Sequence, residues 1–277
     1  MHNPSVPESL EGWSILHLMY RVRWERLKAC SAADRSRMAD EAIGALAAPE
    51  GGATAAVQML GHKADLMLIC FRQGFEQLAQ AQLAFSRTEL SEYLEPTTSY
   101  VSIVELGMYE MTGKLHEQLG AKHKPGSEEF ERAFDAEMEA QRQRVMNRLF
   151  IEIPKWRYVC FYPMNKRRGE GTNWYSEPFE RRAAMMREHG MIGRHYLGKV
   201  TQVISGSIGY DDWEWGVDLF AQDPVVFKKL IYEMRFDEAS ARFAEFGPFY
   251  TGLQFDPAQL GTYLGGSVPA LEQPEPV

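Results

Sequence analysis

The sequence predicts an α+β protein built from two ferredoxin-like halves, and three observations carry that prediction. Apolar runs of strand length and amphipathic runs of helix length follow one another in the order β-α-β-β-α-β, and that order occurs twice. The two hairpin regions correspond in element order: Val57, Gly61 and the run 66–71 match Val203, Gly209 and the run 215–220. A charged, helix-patterned stretch separates the halves. In such a unit the helices cover one face of an antiparallel sheet. The opposite faces must then pack together or against a ligand.

Residues 13–24 read as the first strand, in which Ile15, Leu18 and Tyr20 are mixed with Arg21 and Arg23. Residues 31–48 read as a helix opened by a Ser31 cap and closed by Pro49-Glu50-Gly51-Gly52. Two apolar runs, 56–60 and 65–71, flank Gly61-His62-Lys63-Ala64 as a hairpin. Phe75, Leu78, Gln82 and Phe85 recur at helical spacing over 75–89, and Val101, Ile103 and Val104 centre a strand over 100–109. In the second half, 156–164 is a strand, 177–189 a helix, and 199–208 with 213–220 a hairpin around Gly209-Tyr210-Asp211-Asp212. Asp223 caps a helix over 224–235 whose first position is Pro224, and 248–255 is the last strand. Between the halves, 127–150 is a charged helix with Phe130, Phe134, Met138 and Val145 near one face, an insertion packed on the outside. The expected organisation is an N-terminal half (1–120), a connecting helical insertion (121–155), a C-terminal half (156–255) and a flexible tail (256–277) rich in proline and glycine.

With 277 residues, 45% of them hydrophobic, the chain can bury one large core or two similar ones. A net charge of −8 argues against nucleic acid as the main partner, so an acidic ligand has to be held by local cations. Cys30, Cys70 and Cys160 lack metal-type spacing and lie in or beside apolar segments, which suggests reduced thiols in a reducing compartment. The N-terminus has no basic-then-apolar signal pattern, and no apolar run reaches the roughly eighteen residues of a membrane span. A cytoplasmic location is expected.

The stretch Tyr158-Val159-Cys160-Phe161-Tyr162-Pro163-Met164-Asn165-Lys166-Arg167-Arg168 reads as a buried strand running into a cluster of cations. A phenol beside cations can bind an acid, donate a hydrogen bond or relay one electron; the plainer reading is a strand end followed by solvated charges. Phe179, Ala183, Met186 and His189 fall on one helical face, and Gly190 reads as the residue that ends the helix. His189 there either satisfies the helix dipole or offers one ring nitrogen to a metal while a further acceptor orients the other. His195 reads as solvent-facing. Gln202 shares a strand face with Val200 and Ile204, where a lone amide needs a partner from a neighbouring strand or a ligand. Trp213, Trp215, Val217 and Leu219 read as core, Arg148 as a cation near a helix end, and Ser240 as a hydroxyl in a helical turn. No phosphate loop, zinc-type cluster or nucleophile elbow occurs.

The block Arg187-Glu188-His189-Gly190-Met191-Ile192-Gly193-Arg194, followed by Gly206-Ser207-Ile208-Gly209-Tyr210-Asp211-Asp212-Trp213-Glu214-Trp215-Gly216-Val217, resembles the coproheme decarboxylases of the chlorite dismutase superfamily. Tyr162-Pro163-Met164 and Tyr232-Glu233-Met234-Arg235-Phe236-Asp237-Glu238 extend the match, which is strong over 148–253 and weaker over 13–120. The resemblance implies duplicated ferredoxin-like halves forming a dimeric α+β barrel, a homopentamer, and transient contact with a coproporphyrin ferrochelatase. It implies hydrogen-peroxide-dependent conversion of Fe-coproporphyrin III, substrate and redox centre at once, to haem b through a three-propionate intermediate. His189 would then be the iron ligand and Tyr162 the radical-forming tyrosine. Arg148, Tyr162, Pro163, Met164, Asn165, Lys166 and Ser240 would hold the propionates, with Arg235 assisting. Gln202 takes the distal position, where oxygen-evolving chlorite dismutases carry arginine, and places the chain nearer the Firmicutes-type clade. A haem peroxidase or chlorite-degrading relative and a non-catalytic haem carrier are the alternatives. The expected geometry is a flat cavity between the halves of the barrel, with Tyr162 and His189 around one porphyrin.

Overall fold

The computed structural model describes residues 2–49 and 51–272. Glu50, within the expected helix stop, and Pro274 and Pro276 of the expected tail lie outside the described residues. The first half comprises β1 (Ser9–Val22), α1 (Trp24–Lys28), α2 (Ala32–Leu46), β2 (Ala53–Met59), β3 (Leu66–Arg72), α3 (Phe75–Ser86) and β4 (Leu94–Gly107). The connection contains α4 (Tyr109–Gly120), α5 (Glu128–Arg144) and α6 (Met146–Leu149). The second half comprises β5 (Tyr158–Lys166), a small hairpin of β6 (Arg168–Gly169) and β7 (Thr172–Asn173), and α7 (Phe179–Arg194). It continues with β8 (Thr201–Gly206), β9 (Trp215–Ala221), α8 (Val225–Met234), α9 (Glu238–Phe243), β10 (Ala244–Phe246) and β11 (Tyr250–Phe255), before a last helix α10 (Leu260–Leu264).

Each half orders its strands alike, β2-β3-β1-β4 and β11-β5-β9-β8. Antiparallel pairing of β2 with β11 and of β4 with β8 joins them into a closed barrel. Closure removes the unpaired edges that two separate sheets would expose. The glycines that turn the two hairpins, Gly61 (φ 86°) and Gly209 (φ 88°), both take the left-handed conformation that side chains disfavour.

Strand alternation sorts the core. On β1, Ile15, His17 and Met19 point inward, while Leu16 and Leu18 meet Met38, Ala42 and Leu46 of α2 and Leu78 and Phe85 of α3. Ile15, Met19, Val57, Ile69, Phe71, Phe161 and Phe220 fill the barrel, so the inner faces pack on each other. Open space remains at one mouth, but between the halves, among the described residues, apolar side chains from both sheets occupy the barrel interior where a flat cavity was expected. Among them His17 Nε2 meets Asp218 Oδ1 at 2.9 Å, a fully buried pair spanning the halves.

Three further expectations are corrected. The helix expected to stop at His189 runs on to Arg194; Gly190 keeps a helical backbone, and Gly198 (φ 77°) supplies the left-handed turn downstream. The strand expected to reach residue 109 stops at Gly107, and α4 begins at Tyr109 to pack on α5 through Leu115, Leu119, Phe130 and Phe134. The tail is not loose from residue 256: Leu260, Tyr263 and Leu264 form one apolar turn buried in the first half's core, and the Tyr263 hydroxyl donates to the Asp65 carbonyl.

Candidate functional site

The same alternation divides the segment 162–166. Tyr162, Met164 and Lys166 face the helices outside the barrel; Phe161 and Pro163 face inward. Pro163 lines a cavity of about 490 Å³ at one barrel mouth, and Asn165 Oδ1 accepts the Glu214 backbone N–H at 2.8 Å. The side chains of these five residues thus divide between two surfaces, because successive residues of a strand point to opposite faces.

Tyr162 is buried, with its ring 4.6 Å from Phe249 and 5.7 Å from Phe246. Burial drives its pKa well above that of an ordinary phenol; the neighbouring Cys160 adds to the rise and Arg235 opposes it. Arg235 lies 4.2 Å over the Phe246 ring. No hydrogen bond is made to the Tyr162 hydroxyl among the described residues. On the same apolar cluster pack Ile192 of α7 and Met234 of α8.

Two positions beyond Met164, Lys166 is buried, its Nζ 4.5 Å above the Trp174 ring and 3.4 Å from the Ala239 carbonyl. Burial lowers its pKa to about 8, against the pull of Asp237 and Glu214. Glu214, itself buried, accepts the Lys166 backbone N–H at 2.8 Å.

Asp237 organises the other end. It caps α9, accepting the Ser240 N–H at 2.9 Å on Oδ1, while Oδ2 accepts from the Ser240 hydroxyl at 3.0 Å and from His189 Nδ1 at 3.0 Å. Burial would raise the Asp237 pKa, but the bonds from His189 and Ser240 outweigh it and hold the group below the usual carboxylate range. With Nδ1 directed at the Asp237 carboxylate, Nε2 is the ring nitrogen left for a ligand, and no described residue engages it. His189 itself is half-buried, on a helical face with Ala183 and Met186 that is likewise half-covered. The corresponding helix of the first half, α2, buries Met38, Ala39, Ala42 and Leu46 completely. Across from α7, Gln202 Nε2 stands 3.7 Å from the position a Cβ would take on Gly193, and its face-mate Ile204 is exposed.

Two further candidates are exposed. Arg148, in α6, is exposed and its guanidinium has no carboxylate partner among the described residues; α6 packs on β1 and β4 of the first half. His195 is exposed and pairs with Glu233 at 3.1 Å, while the Tyr196 hydroxyl donates to the same carboxylate at 2.7 Å. Asp237, Glu214 and Trp174 were not singled out as site residues in the sequence. Asp237 was legible only as a cap preceding a helical turn; nothing local connects it to a histidine 48 positions away.

Among the described residues no group of three or more His, Cys, Asp or Glu could hold a metal ion. A lone imidazole with a free, carboxylate-backed Nε2 suits an ion that brings its other ligands with it, as an iron porphyrin does. The half-covered faces of α7 and β8 suit a flat ligand.

An antiparallel barrel of duplicated halves with this site on its outer face defines the class. A model of the chlorite dismutase family matches residues 35–255, and the chain belongs to that family. Within it, the chain is 41% identical over 255 residues to a coproheme decarboxylase of Staphylococcus saprophyticus, covering 90% of this chain and 94% of that one. It is 42% identical over 262 residues to a protein of Natronomonas pharaonis named as heme-binding, covering 92% of this chain but only 41% of that longer protein. A solved structure described as a novel heme-binding protein from Thermus thermophilus matches with a TM-score of 0.79 and 40% identity, over 96% of this chain and 100% of that one.

Proposed function

We propose that the protein is a coproheme decarboxylase, converting two propionates of Fe-coproporphyrin III to vinyl groups with hydrogen peroxide and yielding haem b through a three-propionate intermediate. For each group the balance is propionate plus peroxide plus one proton, giving vinyl, carbon dioxide and two waters. Bound as substrate, the iron porphyrin supplies with peroxide the oxidising equivalents. His189 Nε2 would hold the iron, with Asp237 fixing the tautomer and making the imidazole a stronger donor. Tyr162 would lose a proton and an electron together, since burial disfavours the bare phenolate. The resulting neutral radical takes a β-hydrogen from the nearest propionate and returns to the phenol; loss of one more electron and carbon dioxide completes the vinyl group.

Lys166, Met164 and Ser240 would line the acid-bearing edge, and Arg148 would reach it from outside, charge-assisted where cationic. Gln202, a neutral amide, would orient peroxide without stabilising an anion. The observation that carries the reading is one strand face leading from a buried, unbonded phenol to Lys166 and, through Asp237, to His189. The near full-length similarity to a protein named coproheme decarboxylase supports it. No described helix is long and apolar enough to cross a membrane; cytoplasmic location, a homopentamer and contact with a ferrochelatase complete the proposal. Mass spectrometry of the porphyrin after coproheme and peroxide are mixed with the protein should show two successive losses. Their absence with wild-type protein, or their persistence in Tyr162→Phe, would sink the assignment.

A further inference from the structure

We propose that residues 2–8 form a strap, fastened by His2 to the helical insertion, that holds the helix carrying His189 in place. At its start, the His2 ring stacks on Phe134 of α5 with centroids 3.9 Å apart. Its Nδ1 lies 2.6 Å from Glu8 Oε1 of the strap itself, and its Nε2 lies 3.0 Å from Asp135 and 3.8 Å from Glu131, both on α5. At its end, the Glu8 N–H donates to Thr112 Oγ1 of α4, and Met108 N–H donates to the Glu8 carbonyl. In the middle, the Ser5 carbonyl accepts a hydrogen bond from Arg182 of α7.

That middle contact matters because α7 is thinly anchored: Arg182 and Met185 are its buried residues. Arg182 is a buried cation with no carboxylate partner among the described residues; it lies 5.9 Å from both the Tyr109 and Phe179 rings, and its Nε bonds to nothing. A guanidinium in that state costs free energy unless its remaining donors are used, so the strap carbonyl is a principal partner. Arg182 lies two helical turns from His189 on the same side of α7.

Three carboxylates around one imidazole favour its protonated form. Burial lowers the His2 pKa, but the bonds to Glu8 and Asp135 outweigh it and leave the net shift upward. The fourth titratable group facing the cluster is His116 of α4, whose pKa is lowered by burial and by His2. A raised histidine pKa means the fastening is complete below the ordinary histidine value and is lost as pH rises through the shifted one.

Hydrogen–deuterium exchange of the full chain, with no porphyrin added, tests this. At pH 6 the first turns of α7 should exchange about tenfold faster in His2→Gln than in wild type, and at pH 9 the two should agree. Peptides from α2 serve as the reference. Equal protection of α7 in the two proteins at pH 6 overturns the proposal, as does a loosened strap that leaves α7 unchanged. That α7 carries an iron ligand rests on the function proposed above. Because exchange is read without porphyrin, failure to form haem b would sink that function and leave the strap standing.

Discussion

At the scale of single residues, strand alternation and one carboxylate decide what the site can do. Tyr162→Phe keeps the ring packing against Phe249 but removes the oxidisable hydroxyl. It should bind coproheme normally and lose decarboxylation by more than about 100-fold, which is about 2.7 kcal/mol of transition-state stabilisation, as read by porphyrin mass spectrometry. Asp237→Asn should weaken iron-porphyrin affinity about 10–100-fold, seen in a Soret titration, because the imidazole loses its negative partner while the cap is kept. Lys166 gives a pH signature. Its cation, the form that holds a propionate, predominates below about 8 and is lost as pH rises through that value. Coproheme affinity should therefore fall above pH 8 in the wild type and be weaker but flatter with pH in Lys166→Met. An unchanged slope in that variant would place the acid elsewhere.

At the scale of elements, the reading from sequence succeeded where the signal is local. Ser31 accepts the Asp34 N–H at the start of α2 and Asp223 accepts the Val225 N–H ahead of α8, as their side-chain chemistry required. It failed where the deciding partner is distant. Glycine at 190 resembles a helix terminator, yet α7 continues to Arg194. Proline and glycine after residue 256 masked a single apolar turn whose value depends wholly on the groove it fills. Leu264→Ala should cost about 2–5 kcal/mol in urea unfolding, since the side chain is buried against α2 and leaves a cavity there. A loss under about 0.5 kcal/mol would show that α10 is only resting on the surface.

At the scale of the whole molecule, closure of the barrel makes the halves one folding unit. His17 and Asp218 belong to different halves and are fully buried together. Asp218→Ala leaves an imidazole without its partner in an apolar interior and should destabilise the protein by about 1–3 kcal/mol, with a single unfolding transition. Two separate transitions would mean that the halves unfold independently. Because apolar side chains fill the barrel interior, the ligand surface proposed above is the outer face of the second half, where α7 is less buried than its first-half counterpart α2.

Resemblance to the coproheme decarboxylases pointed to Tyr162, Lys166, His189, Gln202 and Ser240 as residues to examine; by itself the sequence determined the order of the duplicated strands and helices and the hairpin turns at Gly61 and Gly209. Those are properties of short stretches, where alternation, capping and backbone freedom act within a few residues. Only the tertiary structure decided which face of β5 each side chain takes, that Asp237 backs His189, and that apolar side chains of both sheets fill the barrel interior. Those outcomes depend on contacts between residues far apart in the chain, and no local pattern records which surfaces will meet.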